Sequence, residues 1–387
     1  MIFSEKHELF RKLVRKFAET ELKPDILEAI ETNHSYPQDI LDKMGKCGFF
    51  GITTPKKYGG AGLDTRSYVV LNEELASVSA ISAVYANSPN SLGSKPILFA
   101  GTEQQKEKYL TRVAKGEIKI AFALTEPDAG SDVAGMQSTA DKDGDHYVLN
   151  GRKCFITHGP EADYSIVYAV TDPSRGTKGI SAFIVDMKSP GVTTGLPESK
   201  MGIIGSPTSD IILDNVRVHK DDLLGDENKG FINSMKTLDI GRIGIAAQSV
   251  GVARGALDEA LFYSKERVQF GKPIKDFQGI SFLLADMATK LEAAKLLTYQ
   301  AAYLHDNGNS ASKEAAYAKL YASEVCNEIC AKAIQIHGGY GFIKGYKVER
   351  AYRDCRVFTI YEGTSQVQMM VIAGHLLKHE RKVGNWI

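Results

Sequence analysis

One carboxylate near the end of the chain, Glu362, has neighbours suited to proton transfer. The run from residue 361 to 368 is Tyr-Glu-Gly-Thr-Ser-Gln-Val-Gln, so the carboxylate stands among apolar and hydroxyl side chains. Ser365 and Gln368, three residues apart, have the form of a capping box and predict that a helix begins there. Gly363 allows the backbone to approach a bulky ligand closely. A carboxylate in apolar surroundings at a helix N-terminus is a candidate general base.

Two stretches in the middle of the chain carry side chains that suit a flat, polar ring system. Residues 121–132 are Ala-Phe-Ala-Leu-Thr-Glu-Pro-Asp-Ala-Gly-Ser-Asp, a rigid loop with hydroxyl groups at Thr125 and Ser131. In the later run Cys-Phe-Ile-Thr, Phe155 and Thr157 fall on one face of a predicted strand, because side chains alternate. An aromatic ring beside a hydroxyl can stack on a heterocycle and bond to it. Alone, the loop is more simply a strand-end turn, and core packing explains Phe155 equally well.

Two later stretches could bind phosphate groups. Arg267 could pair with a phosphate through two parallel hydrogen bonds, or it could simply complement a helix C-terminus. The glycines of Gln-Ile-His-Gly-Gly, Gly338 and Gly339, leave room for a diphosphate. The same glycines would also serve as a helix C-cap, and His337 between them and the helix is more simply structural than catalytic.

The composition excludes several classes of protein. Of 387 residues, 47 are Lys or Arg and 47 are Asp or Glu, so the formal net charge is zero. This balance argues against nucleic acid and anionic membrane surfaces as the main partners. The chain lacks any run of about 18 uncharged apolar residues, and its charged N-terminus resembles neither a signal nor a transit peptide. These features predict a cytoplasmic protein.

The five cysteines do not form a disulfide pattern. They stand at positions 47, 154, 326, 330 and 355, an odd number without a Cys-x-x-Cys pair. Cys326 and Cys330 share a predicted helix face and could bind a metal ion. Small packing residues in a reducing compartment explain them better.

The order of local patterns predicts an α+β protein with three domains, residues 1–120, 121–229 and 230–387. Helical periodicity dominates the first, although Pro89 predicts an irregular segment at residues 84–94. Short β-rich runs fill the second, with hairpin turns expected at Asp143-Gly-Asp and Asn150-Gly. Four apolar stripes predict a C-terminal bundle of helices, the longest of about 20 to 25 residues. The stripes are wider than one bundle core needs, which suggests contacts between subunits.

In their order and spacing, the motifs resemble the acyl-CoA dehydrogenase family along nearly the whole chain. The residues that carry the resemblance are Phe122-Ala-Leu-Thr-Glu-Pro-Asp-Ala-Gly-Ser-Asp132, Phe155-Ile-Thr157, Arg267-Val-Gln-Phe-Gly271, Gln335-Ile-His-Gly-Gly339 and Tyr361-Glu-Gly-Thr-Ser365. The resemblance implies an N-terminal all-α domain, a middle β-barrel-like domain and a C-terminal four-helix bundle. This is the order that the local patterns predict independently.

The resemblance also implies bound FAD, no metal ion, and oxidoreductase chemistry on a CoA thioester. Glu362 matches the family's base and would take the α-proton, while the flavin N5 would take a hydride from the β-carbon, giving a trans-2-enoyl thioester. Some members of the family carry the base on the first long helix instead. The matching residue here is Gly241, which has no side chain to offer. Glu362 is therefore the predicted catalytic residue.

Further site residues follow from the resemblance, position by position. The isoalloxazine and ribityl groups would be held by Phe122, Leu124, Thr125, Ser131, Phe155 and Thr157. The ADP half, across a subunit boundary, would be held by Arg267, Phe270, Gln278, Gln335, Gly338 and Gly339, with Thr364 and Gln366 at the adenine-side phosphates. The positions that match substrate contacts are Ser131, Asp239, Arg242, Tyr361 and Gly363. A cofactor site shared by two subunits implies at least a dimer, and the family is usually tetrameric.

The acyl group is less well defined by the sequence. Residues 84–94 should line the acyl pocket, and Asn87, Ser88, Asn90 and Ser91 make it more polar than an alkyl chain requires. Butyryl-CoA and crotonyl-CoA are the first choice. An enoyl-CoA reductase acting on crotonyl or aryl-acrylyl thioesters, in complex with electron-transferring flavoprotein, is the alternative. An acyl-CoA oxidase is more remote because such oxidases are generally longer than 387 residues. A non-catalytic binding or assembly protein on the same fold is more remote because the flavin motifs and Glu362 are intact.

Overall fold

Seven helices form the N-terminal part of the computed structural model, which describes residues 2–378. They are α1 (Glu5–Glu21), α2 (Pro24–Asn33), α3 (Gln38–Lys46), α4 (Thr65–Ala76), α5 (Ala80–Asn90), α6 (Lys95–Ala100) and α7 (Glu103–Lys115). Helix α4 is buried along its whole length, because it packs between α1 and the long helices that follow the sheet.

The prediction of an irregular segment around Pro89 was wrong. Helix α5 continues through Pro89 and ends at Asn90. A proline so close to the C-terminus removes only one backbone hydrogen bond, and its own φ is helical. The last turn is completed around it, because the backbone N–H of Ser91 donates to the carbonyl of Asn87 at 3.0 Å.

The middle part is a curled, seven-stranded sheet. Its strands are β1 (Ile120–Ala123), β2 (Thr139–Asp143), β3 (His146–Thr157), β4 (Tyr164–Val170), β5 (Ile180–Asp186), β6 (Val192–Thr194) and β7 (Thr208–His219). They pair in the order β1-β4-β2-β3-β7-β6, and β5 pairs with β4. Alternate residues of β4 enter two different apolar clusters, so this strand is buried on both faces.

One of the two predicted hairpin turns is confirmed and the other is wrong. Asp143-Gly-Asp connects β2 to β3, with Gly144 at a φ of 61°. Asn150-Gly lies inside β3, where the register with β7 shifts between Leu149 and Gly151. A side chain at Gly151 would come within 2.6 Å of Cβ of Ser138. The glycine therefore marks a β-bulge at a close backbone approach.

Helices return after the sheet. They are α8 (Gly230–Glu266), α9 (Gln278–Asp306), α10 (Ser312–His337), α11 (Lys347–Cys355) and α12 (Ser365–Leu376), with the short pair β8 (Val268–Gln269) and β9 (Lys272–Pro273) between α8 and α9. The predicted fold class, helical, then sheet, then helical, is confirmed. The helices were predicted too short, since α8 has 37 residues and is about 55 Å long. The three domain boundaries remain a proposal; β1 begins at Ile120 and α8 at Gly230.

A buried charge network joins the N-terminal helices to α8. Glu73 and Glu74 of α4 are almost wholly buried. Arg254 of α8 donates to both, at 3.0 Å to Glu73 and 2.9 Å to Glu74, and Arg11 of α1 donates to Glu74 at 2.8 Å. Because an unpaired buried carboxylate is costly, this network fixes how α4 lies against α8.

The cysteines are free thiols, and three of them meet in the core. Cys326 and Cys330 of α10 and Cys355 of α11 are wholly buried, with their sulfur atoms within 4.8 Å of one another. They pack α10 against the segment that leads to Glu362. Within residues 2–378, helices of the length and apolar character needed to cross a bilayer do not occur.

Candidate active site

Glu362 lies in a sharp turn between α11 and α12. Its φ is 52° and that of Gly363 is 94°, so two successive residues are left-handed. Such a conformation is costly for a residue with a side chain and is common at functional sites. The turn is held from α12, because Nε2 of the buried Gln368 donates to the carbonyl of Gly363 at 2.9 Å.

The predicted capping box at Ser365 is wrong by one residue. Thr364 is the N-cap of α12, and its hydroxyl accepts from the backbone N–H of Val367 at 3.2 Å. Ser365 instead donates to Glu324 of α10 at 2.5 Å. The side-chain amide of Gln368 donates to the backbone carbonyls of Glu362 and Gly363, so it does not bind the carboxylate of Glu362.

The carboxylate of Glu362 rests directly on Gly241 of α8. A Cβ added at Gly241 would overlap Oε2 of Glu362 and would lie 2.9 Å from its carboxyl carbon. Glycine at this position is therefore what allows the turn and the helix to meet. Gly241 has no side chain that could act as the base, and the carboxylate of Glu362 occupies the space that such a side chain would fill.

Burial controls the charge of Glu362. Removal from water raises the pKa of Glu362 to about 7, although the cations Lys319 and Arg242 both act to lower it. Oε2 is buried and has no hydrogen-bond partner within residues 2–378. At neutral pH this carboxyl can therefore either give up or accept a proton, as acid–base catalysis requires.

Two predicted substrate contacts, Asp239 and Arg242, form a pair beside this carboxylate. Nη1 of Arg242 donates to Oδ1 of Asp239 at 2.7 Å, and Ser312 of α10 donates to the same oxygen at 3.0 Å. Burial raises the pKa of Asp239 and lowers that of Arg242. Nε of Arg242 is buried and, in the part of the chain that the structure describes, has no partner. It is a donor available to a ligand.

The polar residues of α5 do not all face the site. Asn90 and Ser91 bond to backbone carbonyls of Phe49 and Asn87, at 2.6 and 2.8 Å. Asn87 is different, because its side chain accepts from the hydroxyl of Tyr68, and both groups would collide with any side chain at Gly244, one turn along α8 from Gly241. Ser88 lines a separate cavity with Tyr85 and His158, so Asn87 is the one of these four polar residues that is shown beside α8 next to Gly241.

Tyr361, the remaining predicted substrate contact on the turn, points along α8. Its hydroxyl donates to Gln248 at 3.4 Å, and Gln248 donates to Asn72 of α4 at 3.1 Å. Burial raises the pKa of Tyr361 well above its usual range, so its hydroxyl stays protonated. Its ring stacks on Phe358 at 6.0 Å between centroids.

The loop predicted to hold a flat ring system is anchored by a buried ion pair that the motif analysis missed. Lys153 is wholly buried and its Nζ lies 2.7 Å from Oε1 of Glu126. Glu126 also accepts from the backbone N–H groups of Gln137 and Ser138, at 2.6 and 3.0 Å. The loop with Thr125 and the exposed Ser131 is therefore tied to β3 and to the start of β2.

Phe155 stands out of β3 at a second bulge. The register with β7 shifts between Lys153 and Ile156, and Phe155 has a φ of 57°. Its side chain is 69% exposed, whereas Ile156 beside it is buried and Thr157 is half-buried. An exposed aromatic ring in a strained backbone, next to a hydroxyl, fits the face of a flat heterocycle. Phe122 is half-buried and Leu124 buried nearby on β1 and the loop that follows it.

A separate groove of about 520 Å³ contains the phosphate candidates. It is lined by Arg267, Gly338, Gly339 and Tyr340 among others. Nothing lies within 4 Å of a Cβ at either glycine, so the groove is open there. The Arg267 guanidinium lies 5.6 Å from the centre of the Tyr340 ring. An open groove with a cation fits a diphosphate group.

The other predicted cofactor residues lie outside that groove lining. Phe270 is 94% exposed in the β8–β9 turn, with a φ of 51°. Gln278 and Gln335 are exposed on α9 and α10, while Thr364 is the N-cap of α12 and Gln366 lies in its first turn. The Phe270 ring lies 6.1 Å from that of Phe277, the residue before Gln278, and Gln335 stands three residues before Gly338 of the groove.

Lys319 is the principal site residue that sequence reasoning missed. It is wholly buried on α10 and donates to the carbonyl of Gly363 at 2.6 Å. A signal was present: Lys319 stands between Ala315 and Ala322 on the apolar stripe of its helix. A lysine at an apolar position of an amphipathic helix predicts a specific buried partner.

Comparisons with known proteins agree along the whole described chain. Three family profiles match it: acyl-CoA dehydrogenase N-terminal domain over residues 4–117, middle domain over 121–216, and C-terminal domain over 228–377. The chain is 64% identical to the caffeyl-CoA reductase–Etf complex subunit CarC of Acetobacterium woodii, over 98% of this chain and 100% of that one.

Two further relatives are similar over nearly their full length. The chain is 57% identical to the 3-(aryl)acrylate reductase of Clostridium sporogenes, over 98% of this chain and 100% of that one. It also superposes with a TM-score of 0.94 on the butyryl-CoA dehydrogenase of Megasphaera elsdenii, at 44% identity, covering 97% and 99% of the two chains.

Replacing Gly241 by alanine should displace the base. The new methyl group would occupy the position of Oε2 of Glu362, and a misplacement of about 1 Å costs on the order of 100-fold in rate. We expect turnover of a CoA thioester to fall by about that factor, with the thermal unfolding midpoint little changed. The matched control is Gly374→Ala, an exposed helical glycine with no atom near its Cβ, which should keep full activity. Wild-type turnover by the Gly241 variant would contradict the arrangement.

Replacing Glu362 by glutamine should stabilise the protein in a pH-dependent manner. The carboxyl has a pKa of about 7 when folded and about 4.3 when unfolded. The folded state therefore loses stability as pH rises between these values, and glutamine avoids that loss. We expect Glu362→Gln to unfold at a higher temperature at pH 8 and at the wild-type temperature near pH 4. Glu107→Gln, on the exposed face of α7, is the control. An equal effect at both pH values would show that burial does not perturb Glu362.

Proposed function

This chain belongs to the acyl-CoA dehydrogenase family, and from that premise we propose that it reduces an aryl-substituted trans-2-enoyl-CoA to the saturated acyl-CoA. The observation that carries the chemistry is Oε2 of Glu362, an atom that lies buried against Gly241 and has no hydrogen-bond partner within residues 2–378. The reverse reaction, α,β-dehydrogenation of an acyl-CoA, uses the same residues. The enzyme class is oxidoreductase acting on a CH–CH bond.

Glu362 moves the proton at the α-carbon. With a pKa of about 7, both forms of the carboxyl are populated at neutral pH, so the acid can protonate the α-carbon during reduction. In dehydrogenation the carboxylate removes that proton. The thioester carbonyl gains charge in either direction, and Arg242, whose Nε has no partner within residues 2–378, would favour that charge.

Family members are flavoproteins, and we propose FAD as the cofactor. Bound there, the flavin would exchange a hydride with the β-carbon of the thioester. Phe155 would stack against the ring, with the Thr125 and Thr157 hydroxyls at its edge; Phe122, Leu124 and Ser131 would complete this part. Arg267 and the open backbone at Gly338 and Gly339 suit the diphosphate. The remaining residues proposed for the ADP half and phosphates are Phe270, Gln278, Gln335, Thr364 and Gln366.

The proposal of an aryl-acrylyl substrate rests on the two relatives named for caffeyl-CoA and 3-(aryl)acrylate reduction. The buried Tyr68–Asn87 pair beside α8 adds a polar feature to the acyl side of the site. A short alkyl substrate, butyryl-CoA or crotonyl-CoA, is the second candidate because of the similarity to butyryl-CoA dehydrogenase. Proposed contacts near the reacting carbons are Ser131, Asp239, Arg242, Tyr361 and Gly363.

We propose electron-transferring flavoprotein as the electron donor or acceptor. The relative with 64% identity is named as a subunit of a complex with that protein. A cytoplasmic location, expected from the sequence, also remains part of the proposal. A purely structural role on the same fold is disfavoured, because the strained Glu362 turn would have no purpose without proton transfer.

A panel of CoA thioesters tests the substrate and the direction. Under anaerobic conditions, aryl-acrylyl-CoA should reoxidise the chemically reduced holoprotein faster than crotonyl-CoA does, with the flavin absorbance as the readout. The control is Glu362→Gln, which should bind the thioesters and lose the reaction by several orders of magnitude. Faster reaction with crotonyl-CoA would support the short-chain alternative, and a preparation without flavin would sink the proposal.

We also propose a homotetramer, a dimer of dimers. The described C-terminal helices expose large apolar side chains, including Phe262, Phe282 and Met370, and the cofactor residue Phe270 is almost fully exposed. Sedimentation equilibrium of the holoprotein should give four times the chain mass. Phe282→Glu should lower that mass, whereas Leu13→Glu, at an exposed site on α1, should not. A monomeric holoprotein would contradict the proposal.

A further inference from the structure

Lys319 is a lysine in an unusual place. It lies about two turns into α10, its side chain is wholly buried, and within residues 2–378 it forms no ion pair with a carboxylate. Burial lowers the pKa of Lys319 to about 8, which shows how unfavourable this position is for an ammonium group. A buried lysine of this kind is retained only when its contacts repay the cost of desolvation.

The main contact of Lys319 is with the turn that carries the base. Its Nζ lies 2.6 Å from the carbonyl oxygen of Gly363, and Nε2 of Gln368 lies 2.9 Å from the same oxygen. Two buried donors, one from α10 and one from α12, thus converge on one backbone acceptor. Charged donors form the stronger hydrogen bonds, so Lys319 is the dominant clamp.

The hydrogen bonds from Lys319 and Gln368 act on a strained part of the backbone. Glu362 and Gly363 are both left-handed, and this conformation is strained for Glu362 because it carries a side chain. A peptide carbonyl held on both sides cannot rotate to relieve that strain. The direction of the Glu362 side chain, toward Gly241, follows from the fixed turn.

Lys319 also faces the charge of Glu362. The groups around this carboxyl are Arg242 and Asp239 from α8, Lys319 and Glu324 from α10, Tyr68 from α4 and Tyr361 on its own turn. Tyr68 is buried and Tyr361 is half-buried, and the raised pKa of each keeps its hydroxyl protonated. Asp239 accepts from Arg242 and Ser312, and Glu324 accepts from Ser365. Lys319 and Arg242 are therefore the cations that stabilise the ionised base.

We propose that Lys319 is a positioning residue for the proton-transferring group: its ammonium fixes the Gly363 carbonyl, and thereby the Glu362 turn, and supplies the charge that keeps Glu362 available in its ionised form. This inference rests on the proposed function, because it assigns Glu362 its role in proton transfer. It adds a residue from α10 that does not touch the substrate.

The test is a titration of Glu362 that needs no substrate. Infrared difference spectra between a protein and its Glu362→Gln version isolate the carboxyl band, which is followed against pH in the holoprotein. In Lys319→Met, loss of the ammonium should raise the pKa of Glu362 by about one unit or more. The acid limb of the pH–rate profile for dehydrogenation should move upward by the same amount, since less of the base is ionised at each pH.

Three variants separate charge from hydrogen bonding. Gln368→Leu removes the neutral donor, so it should slow proton transfer with little change in the pKa of Glu362. Lys332→Met removes a half-buried lysine of the same helix that pairs with Asp286 and Glu328 and not with the Glu362 turn, so it should change neither quantity. Lys319→Gln can keep a donor while losing the charge, and it carries the titration if the Met variant does not fold.

The outcome distinguishes this inference from the proposed function. An unchanged Glu362 titration in the Lys319 variants would overturn the role of Lys319, whichever thioester reacts. A raised pKa in a protein that reacts with no thioester of the panel would leave the positioning role standing and overturn the proposed function.

Discussion

Removal of one carboxylate from water is the constraint on which the site depends. Oε2 of Glu362 is buried without a partner in the part of the chain that the structure describes, and burial raises the pKa of the carboxyl to about 7. A solvated glutamate would be fully ionised at that pH and a poor proton donor. Three helices therefore pack around the Glu362 turn. Helix α8 contacts the carboxylate through Gly241, and α10 and α12 bind the backbone of the turn through Lys319 and Gln368. The charge network of Glu73, Glu74 and Arg254 holds α4 against the same helix, α8.

Backbone strain occurs at two positions of the proposed site that buried groups hold in place. Phe155 and Glu362 lie far apart in the sequence, yet both are non-glycine residues with a left-handed backbone. Each is held by a buried ionic or polar group nearby: the Lys153–Glu126 pair for the strand with Phe155, Lys319 and Gln368 for the turn with Glu362. Both backbone conformations lower the stability of the fold, and they direct the Phe155 side chain outward and the Glu362 side chain toward α8.

Motif order and helical periodicity were enough to predict the fold class and the candidate base. What failed was local and depended on distant partners. Pro89 stays helical because only the final turn is affected, and Asn150-Gly151 becomes a bulge because Ser138 approaches from another strand. Lys319 and Lys153 were missed since their partners lie 44 and 27 residues away, beyond any spacing rule. A charged residue on an apolar stripe is the sequence signal that such partners leave behind.

The contact between Gly241 and Glu362 also limits how this enzyme can change over time. Because a side chain at position 241 would occupy the volume of the Glu362 carboxylate, the two positions cannot both carry an acid. A descendant with its base on α8 would have to lose Glu362 and gain a carboxylate at position 241 together. A carboxylate gained first would collide with Glu362, and Glu362 lost first would leave the site without a base. Positions 241 and 362 are therefore expected to change together during evolution, because each single substitution gives an inactive enzyme. Exchange between the two placements of the base should be rare.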